Sequence, residues 1–440
     1  MKFTILMQEF IDFLETKNFN FNINKRELYN ENKQRNNKLF SSNNTNKQLD
    51  NVLGKLYVDF VEAYSYLQKA KSEKKIFDMD IQNIDNVNQI PLSEDLFGSS
   101  YMPKNIVDII KNESDYYISY KFKIKDRNIK IIFVTCGEEI IFGIDKYNNY
   151  MENIFIWFYI ASQHAYKYCS KNLTVYIYFT NNKRLLPSSS VQIIDANNVN
   201  GGISNICVKN SLSEIVIYRK EEWFKVLIHE TFHNYGLDFS DLVINSIKND
   251  FRKLFPVKSN MEVFESYTEF WAEIINICFI CFLTIENMPK ENSRQKFLQL
   301  TRELINIERC FSMFQCCKIL SFMGLEYEDL FLNNKLSKIK RDNLYKEKTN
   351  IFPYYVVKCI LMYYCEDFLI FCNENNTSLL RFNKTTNNLH NYFMFVKEKH
   401  NNQLLLEDMK KMNKYFIHLS KNEIHHCIQN TLRMSISETN

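Results

Sequence analysis

Residues 229–233 read His-Glu-Thr-Phe-His, two histidines four positions apart with a glutamate between them. On a helix, positions i and i+4 stand one above the other on the same face. His229 and His233 can therefore present two ring nitrogens to a single cation. Glu230 sits one position round, close to such a cation without being bound to it. Two imidazoles with a carboxylate beside them suit metal-assisted hydrolysis. The metal lowers the pKa of a water towards ~7, and the carboxylate takes the proton. A catalytic metal also wants a third protein ligand and one open position. The next histidine along the chain is His390, so no third imidazole lies nearby.

One source for the third ligand is local. Three positions beyond Gly236 stands Phe239, which cannot bind a metal, and Asp238 is off by one residue. The other source is the stretch MEVFESYTEFWAEIINICF, residues 261–279. Glu265, Glu269 and Glu273 recur every four residues there, so one helical face carries three carboxylates. Phe264, Tyr267, Phe270, Trp271, Ile274 and Ile275 demand burial of most of that helix. Buried acids need partners, and a metal with its histidines would supply them.

The H-E-x-x-H helix followed by ESYTEFWAE resembles the gluzincin clan of zinc metallopeptidases. In those families a ligand glutamate is followed by a small residue at +3 and by an acid at +4 that supports a histidine ligand. Two registers fit. Glu265 has Thr268 and Glu269 behind it; Glu269 has Ala272 and Glu273. Either glutamate can be the third zinc ligand. The combination is also similar to uncharacterised predicted metallopeptidases of large DNA viruses, and the Asn-, Ile- and Lys-rich composition suits an AT-rich genome, such as that of a protist, a low-GC bacterium or a large DNA virus. The resemblance implies a zinc cofactor and hydrolysis of a peptide or protein substrate. Glu230 would act as general base on a metal-activated water and then as proton donor to the leaving amine. It also implies that SEIVIYR (213–219) is an edge strand along which an extended peptide adds. Tyr354 or Tyr355 could stabilise the oxyanion. The rivals are a zincin-fold binding or virion-associated protein that does not cut, and a zinc hydrolase of another amide.

The elements that must position these residues are legible in outline. Residues 1–24 suggest a helix, 28–50 an Asn-rich linker, and 52–74 a second helix. YYISYKFKIKDRNIKIIFVTC (116–136) alternates and predicts a hairpin turning at KDRN. Residues 147–168 read as a buried helix and 173–180 as a strand. NVNGGIS reads as a loop whose paired glycines permit a tight turn, and the resemblance implies that it borders the cleft. KEEWFKVLIHETFHNYG reads as one helix, with Glu221 and Glu222 in its first turn and Gly236 as its cap. Long apolar helices follow at 261–286, 293–323, 350–373 and 391–413. The predicted class is α+β, in three parts. Residues 1–100 form a helical N-terminal region with the linker. A zincin-like mixed sheet with the H-E-x-x-H helix covers 101–240. Residues 241–440 form a mainly helical C-terminal subdomain carrying the third ligand.

With 440 residues and a net charge of +4, no strong field is present, and nucleic-acid binding is not expected. Twelve cysteines are scattered, many in apolar runs. Free buried thiols are the expected state, and Cys278 and Cys281 read as core. The N-terminus lacks the pattern of a secretion signal. The apolar runs 274–284 and 351–373 do not qualify as membrane spans. Cytoplasmic residence is expected.

Overall fold

The computed structural model describes residues 4–16, 42–73, 76–137, 143–207, 212–286, 292–419 and 426–438. Its class is α+β: a six-stranded mixed sheet with helices, followed by a mainly helical C-terminal region.

The predicted hairpin supplies two neighbouring inner strands of the sheet. Strands β2 (Ser114–Ile124) and β3 (Arg127–Cys136) pair antiparallel. They turn at Lys125 and Asp126, with Lys125 in the left-handed region. The helix Ile144–His164 then crosses back so that β4 (Asn172–Tyr178) lies parallel to β3. β6 (Leu212–Ile217) lies parallel to β4. The inner strands are nearly continuous β-branched and aromatic runs because both faces are covered. The strand order is β1-β2-β3-β4-β6-β5. At one edge β1 (Asp78–Asn83) pairs antiparallel with β2, in a part of the chain read as helical. At the other edge the NVNGGIS segment supplies β5 (Gly202–Ser204), antiparallel to β6. The edge strand is therefore β5 and not SEIVIYR, which is flanked on both sides.

The linker expected over 28–50 is overturned in its second half. Among the described residues, the helix after α1 (Ile5–Thr16) is α2, which runs Ser42–Ser72. Leu49 and Leu53 anchor its start in the core, so tertiary burial outweighs the polar composition. Residues 17–41 lie outside the described residues. The expected 391–413 helix is two, Thr386–Lys399 and Gln403–Leu419. The 350–373 run is interrupted: a π-helical turn, Phe352–Val357, leads into Lys358–Tyr363, and Cys365–Asn375 follows.

The helix Phe264–Glu286 is long and apolar enough, by length and composition, to cross a bilayer, which the shorter run 274–284 concealed. Here 89% of its most apolar window is buried inside the fold, so packing in the core accounts for that apolarity. The thiol expectation also changes. Cys169 and Cys207 form a disulfide, while Cys278 and Cys281 are free and buried as read.

Candidate metal centre

Helix α6 (Trp223–Asn234, counting Lys104–Glu113, Ile144–His164 and the short Ala196–Val199 as α3 to α5) directly follows β6, and all twelve of its residues are buried. Its first turn differs from expectation. Glu222 precedes the helix in the left-handed region, and its carboxylate serves Arg184 and Lys225 instead of the helix dipole. The far end behaves as read. Gly236, at φ +64, lets Leu237 N–H reach Phe232 O (2.8 Å) and its own N–H reach His233 O (3.1 Å). This glycine closure satisfies the last carbonyls and turns the chain back under the helix. It also brings Asp238 up against His233.

The partner helix is α8 (Phe264–Glu286), after α7 (Asn245–Leu254). It separates the three carboxylates by depth. Glu265 Oε2 lies 3.1 Å from His229 Nε2 and 3.4 Å from His233 Nε2, and the two Nε2 atoms are 3.2 Å apart. Glu269 lies behind the histidines: His229 Nδ1 donates to its Oε2 at 2.9 Å. His233 Nδ1 donates to Asp238 Oδ2 at 2.5 Å. Glu273 pairs with Lys358, deeper in the helical region.

These separations fit a metal. Bonds of about 2.0–2.1 Å to a tetrahedral centre place the ligand atoms roughly 3.3–3.4 Å apart. Each imidazole has its Nδ1–H committed to an acid, which leaves an Nε2 lone pair facing the common point. His229, His233 and Glu265 could together hold a metal ion. Asp238, weighed from the sequence as a ligand, instead orients His233, and Thr268 Oγ1 and Ser240 Oγ brace it at 3.1 and 2.8 Å.

The electrostatics agree. Burial pulls the His229 pKa down, but hydrogen bonds to Glu265 and Glu269 outweigh it and raise it to about 9. His233 is also raised, through Asp238 and Glu265 against burial. Burial pushes Glu265 and Glu269 up, yet the imidazoles, joined at Glu269 by Lys225, bring both well below the usual carboxylate range. The cluster thus attracts positive charge around its histidines. Two protons or one divalent cation can satisfy it.

Glu230 points to the sheet edge. Ser204 Oγ of β5 donates to Glu230 Oε2 at 2.7 Å. A Cβ on Gly202 would meet Val226 at 2.8 Å and Glu230 Oε1 at 3.0 Å, so glycine is what lets the edge strand run this close. Burial raises the Glu230 pKa, with both histidines opposing.

Of the two tyrosines singled out, the structure brings only Tyr354 to the cluster. Its ring centre lies 6.0 Å from that of His229, at a π-helical turn of a kind frequent at functional sites. Tyr355 bonds Leu432 O instead. With Gly202, His229 and Glu230, Tyr354 borders a cavity of about 30 Å³, room for a water or two.

Four contributors escaped the sequence reading. Ser204 braces Glu230, and Lys225 pairs with Glu269. Asn350 Nδ2 donates to Glu265 Oε1 at 3.1 Å, and Asp238 supports a histidine. Lys225 alone carried a local signal, standing four residues before His229 on the same face. No protein-family model, curated protein or solved structure matches the chain.

Proposed function

We propose that the chain is a zinc-dependent peptidase of gluzincin type, with a zincin-like arrangement of sheet edge, α6 and α8. The observation that carries this reading is the set of three ligand atoms 3.1–3.4 Å apart, with an acid behind each imidazole and Glu230 alongside. Two imidazoles and a carboxylate match the donor set of catalytic zinc. Held there, zinc would supply Lewis acidity towards a water and towards a substrate carbonyl.

The protein's own groups perform the remaining steps. Glu230 accepts a proton from the attacking water and delivers it to the leaving amine nitrogen as the peptide C–N bond breaks. Ser204 holds one oxygen of that carboxylate in place. The free side of β5 offers backbone hydrogen bonds to an extended chain. The Tyr354 hydroxyl is a donor for the developing oxyanion.

Metal analysis of purified protein should give about one zinc per chain, by the three-ligand stoichiometry of such sites. His233→Ala should lose it. Glu230→Gln should keep the metal and lose ~10²–10⁴-fold in turnover of a peptide library, the usual contribution of a general base. Native protein without zinc would sink the proposal. One observation favours a second reading, a zinc-holding binding protein of the same fold. His229, Glu230, His233 and Glu265 are only 6%, 7%, 7% and 9% exposed. Stoichiometric zinc with no turnover on any peptide would favour that reading.

A further inference from the structure

Residues 431–438 belong to no helix or strand apart from one bridge, Thr431 to Leu185, yet 431–437 are all buried. A buried irregular segment needs partners for its own main chain. Both parts of the fold supply them. From the sheet side, Arg184 O accepts from Leu432 N and Glu222 Oε1 from Ser435 N, each at 2.9 Å. From the helical side, Tyr355 Oη donates to Leu432 O at 2.6 Å and Lys358 Nζ to Met434 O at 2.9 Å. Glu308, buried in the helix Ser293–Phe322, accepts from Ile436 N at 3.1 Å and from Ser437 N at 2.7 Å. The segment is held largely by side chains on its backbone, as a bound peptide is.

It also walls off the metal cluster. The cavity at His229 and Glu230 measures about 30 Å³ and has no room for a residue of a peptide, so a substrate reaches Glu230 only if a wall moves. A second cavity, of about 340 Å³, lies at the start of α6 beside exposed Asn181 and Lys183, within the roughly 300–1,000 Å³ of ligand clefts. Lys225 borders both cavities; Arg433 borders the larger and Met434, the next residue, the smaller. The partition is therefore Lys225, the chain at 183–184 and the segment. Buried ion pairs to Glu269 and Glu222 fix Lys225 and Arg184. The segment's own ion pair is internal, Arg433 with Glu438, so hydrogen bonds and apolar side chains hold it to its flanks.

Resting on the peptidase reading above, we propose that residues 431–438 are an autoinhibitory segment that shuts the metal centre. In place, they divide the two cavities and leave the centre closed to peptides. Displaced, they join the cavity at the start of α6 to the one at Glu230, and a peptide chain enters from the larger. Turnover is then set by the small fraction of molecules in which the segment has left.

The test uses the zinc-loaded full chain and two readouts, the rate at which a chelator withdraws zinc and the turnover of a peptide library. Glu308→Gln removes the charge that holds Ile436 N and Ser437 N. A hydrogen bond to a charged group contributes enough for about a tenfold shift, so both rates should rise by about that factor. Ile436→Asp brings a second carboxylate to the stretch that meets Glu308 and should raise them further. A synthetic peptide of residues 431–438, added in excess to Ile436→Asp, should return both rates towards the wild-type values. An unfolded variant cannot hydrolyse faster than wild type, so a gain in turnover separates release of the segment from loss of the fold. If Ile436→Asp does not fold, Glu308→Gln carries the test. Wild-type rates in a folded Glu308→Gln would overturn the proposal and leave the peptidase reading in place. Faster zinc withdrawal with no hydrolysis by any form would keep the segment as the cover of the centre and remove the peptidase reading.

Discussion

Helix α8 carries three carboxylates one turn apart, and the two ends of that row meet different chemistry. Glu265 and Glu269 face two histidines, and Glu273 faces Lys358. All three are buried. Burial pushes each pKa up, but Glu265 and Glu269 end well below the ordinary range. Glu273 ends well above it, because burial outweighs Lys358 and the more distant Lys225, and Glu308 adds to the rise. The difference lies in the supply and kind of cation. Lys358 is a permanent partner whose ammonium also donates to Met434 O at 2.9 Å. The histidines can trade protons for a metal. Equal spacing in the sequence thus yields an exchangeable site at one end of the row and a fixed lysine–carboxyl contact at the other.

The largest effect should come from the first carboxylate. Glu265→Gln removes the one acid that, among the described residues, groups with both Nε2 atoms, and stoichiometric zinc should be lost on dialysis. Retention of zinc by this variant, with loss in Glu269→Gln, would reverse the assignment of the two glutamates. Next comes the fixed pair. Lys358→Met leaves Glu273 without its cation and Met434 O without its donor. Breaking a buried pair in this way costs about 3–5 kcal/mol, measurable as a drop in denaturation midpoint. Zinc content should be unchanged. Loss of zinc would show that the two ends of the row act as one cluster.

A smaller effect is expected at the supporting acid. Glu269→Gln keeps a hydrogen-bond acceptor for His229 Nδ1 but removes the charge shared with Lys225. Outer partners of metal-bound histidines typically contribute 10–100-fold in metal affinity. Competition with a chelator should show a loss of about that size, with Asp238→Asn giving a similar loss through His233. Wild-type affinity in both variants would mean that the acids do not tune the imidazoles.

How much of this was legible depended on distance along the chain. The i, i+4 histidines and the capping Gly236 are local features, and the sequence reading placed them correctly. The row 265–269–273 was also visible, but a repeat of one turn looks the same in each register. Only the depth at which α8 crosses α6 separates Glu265 from Glu269. The edge strand gave no signal, because three residues led by a glycine show no alternation. Pairing with β6 makes β5 a strand. Asp238 was judged by metal-ligand spacing, and its support of His233 depends on the chain folding back after Gly236. Cys169 and Cys207 are 38 residues apart, and nothing in the local sequence joins them.

The smallest predicted effect extends the comparison to an imidazole that has no acid partner among the described residues. His400 is buried at the end of the helix Thr386–Lys399, edge-on to Phe255 and Phe331. Its Nδ1 donates to Lys397 O at 2.7 Å. Burial lowers its pKa, and the carbonyl offsets only part of that. This is the opposite direction to His229 and His233. The sign follows from proton counting. As pH falls below about 6.5, the unfolded chain takes up a proton at His400 that the folded protein refuses. Stability should therefore decline from that pH down to the folded pKa and lose no more below it. One proton limits the slope to about 1.4 kcal/mol per pH unit. Denaturation of wild type and His400→Gln between neutral and mildly acidic pH isolates this term as a difference, since the other groups titrate alike in both. The variant should lose less stability on acidification. An equal loss would mean that His400 is protonated in the fold, and that burial without a carboxylate does not distinguish it from the metal-site pair.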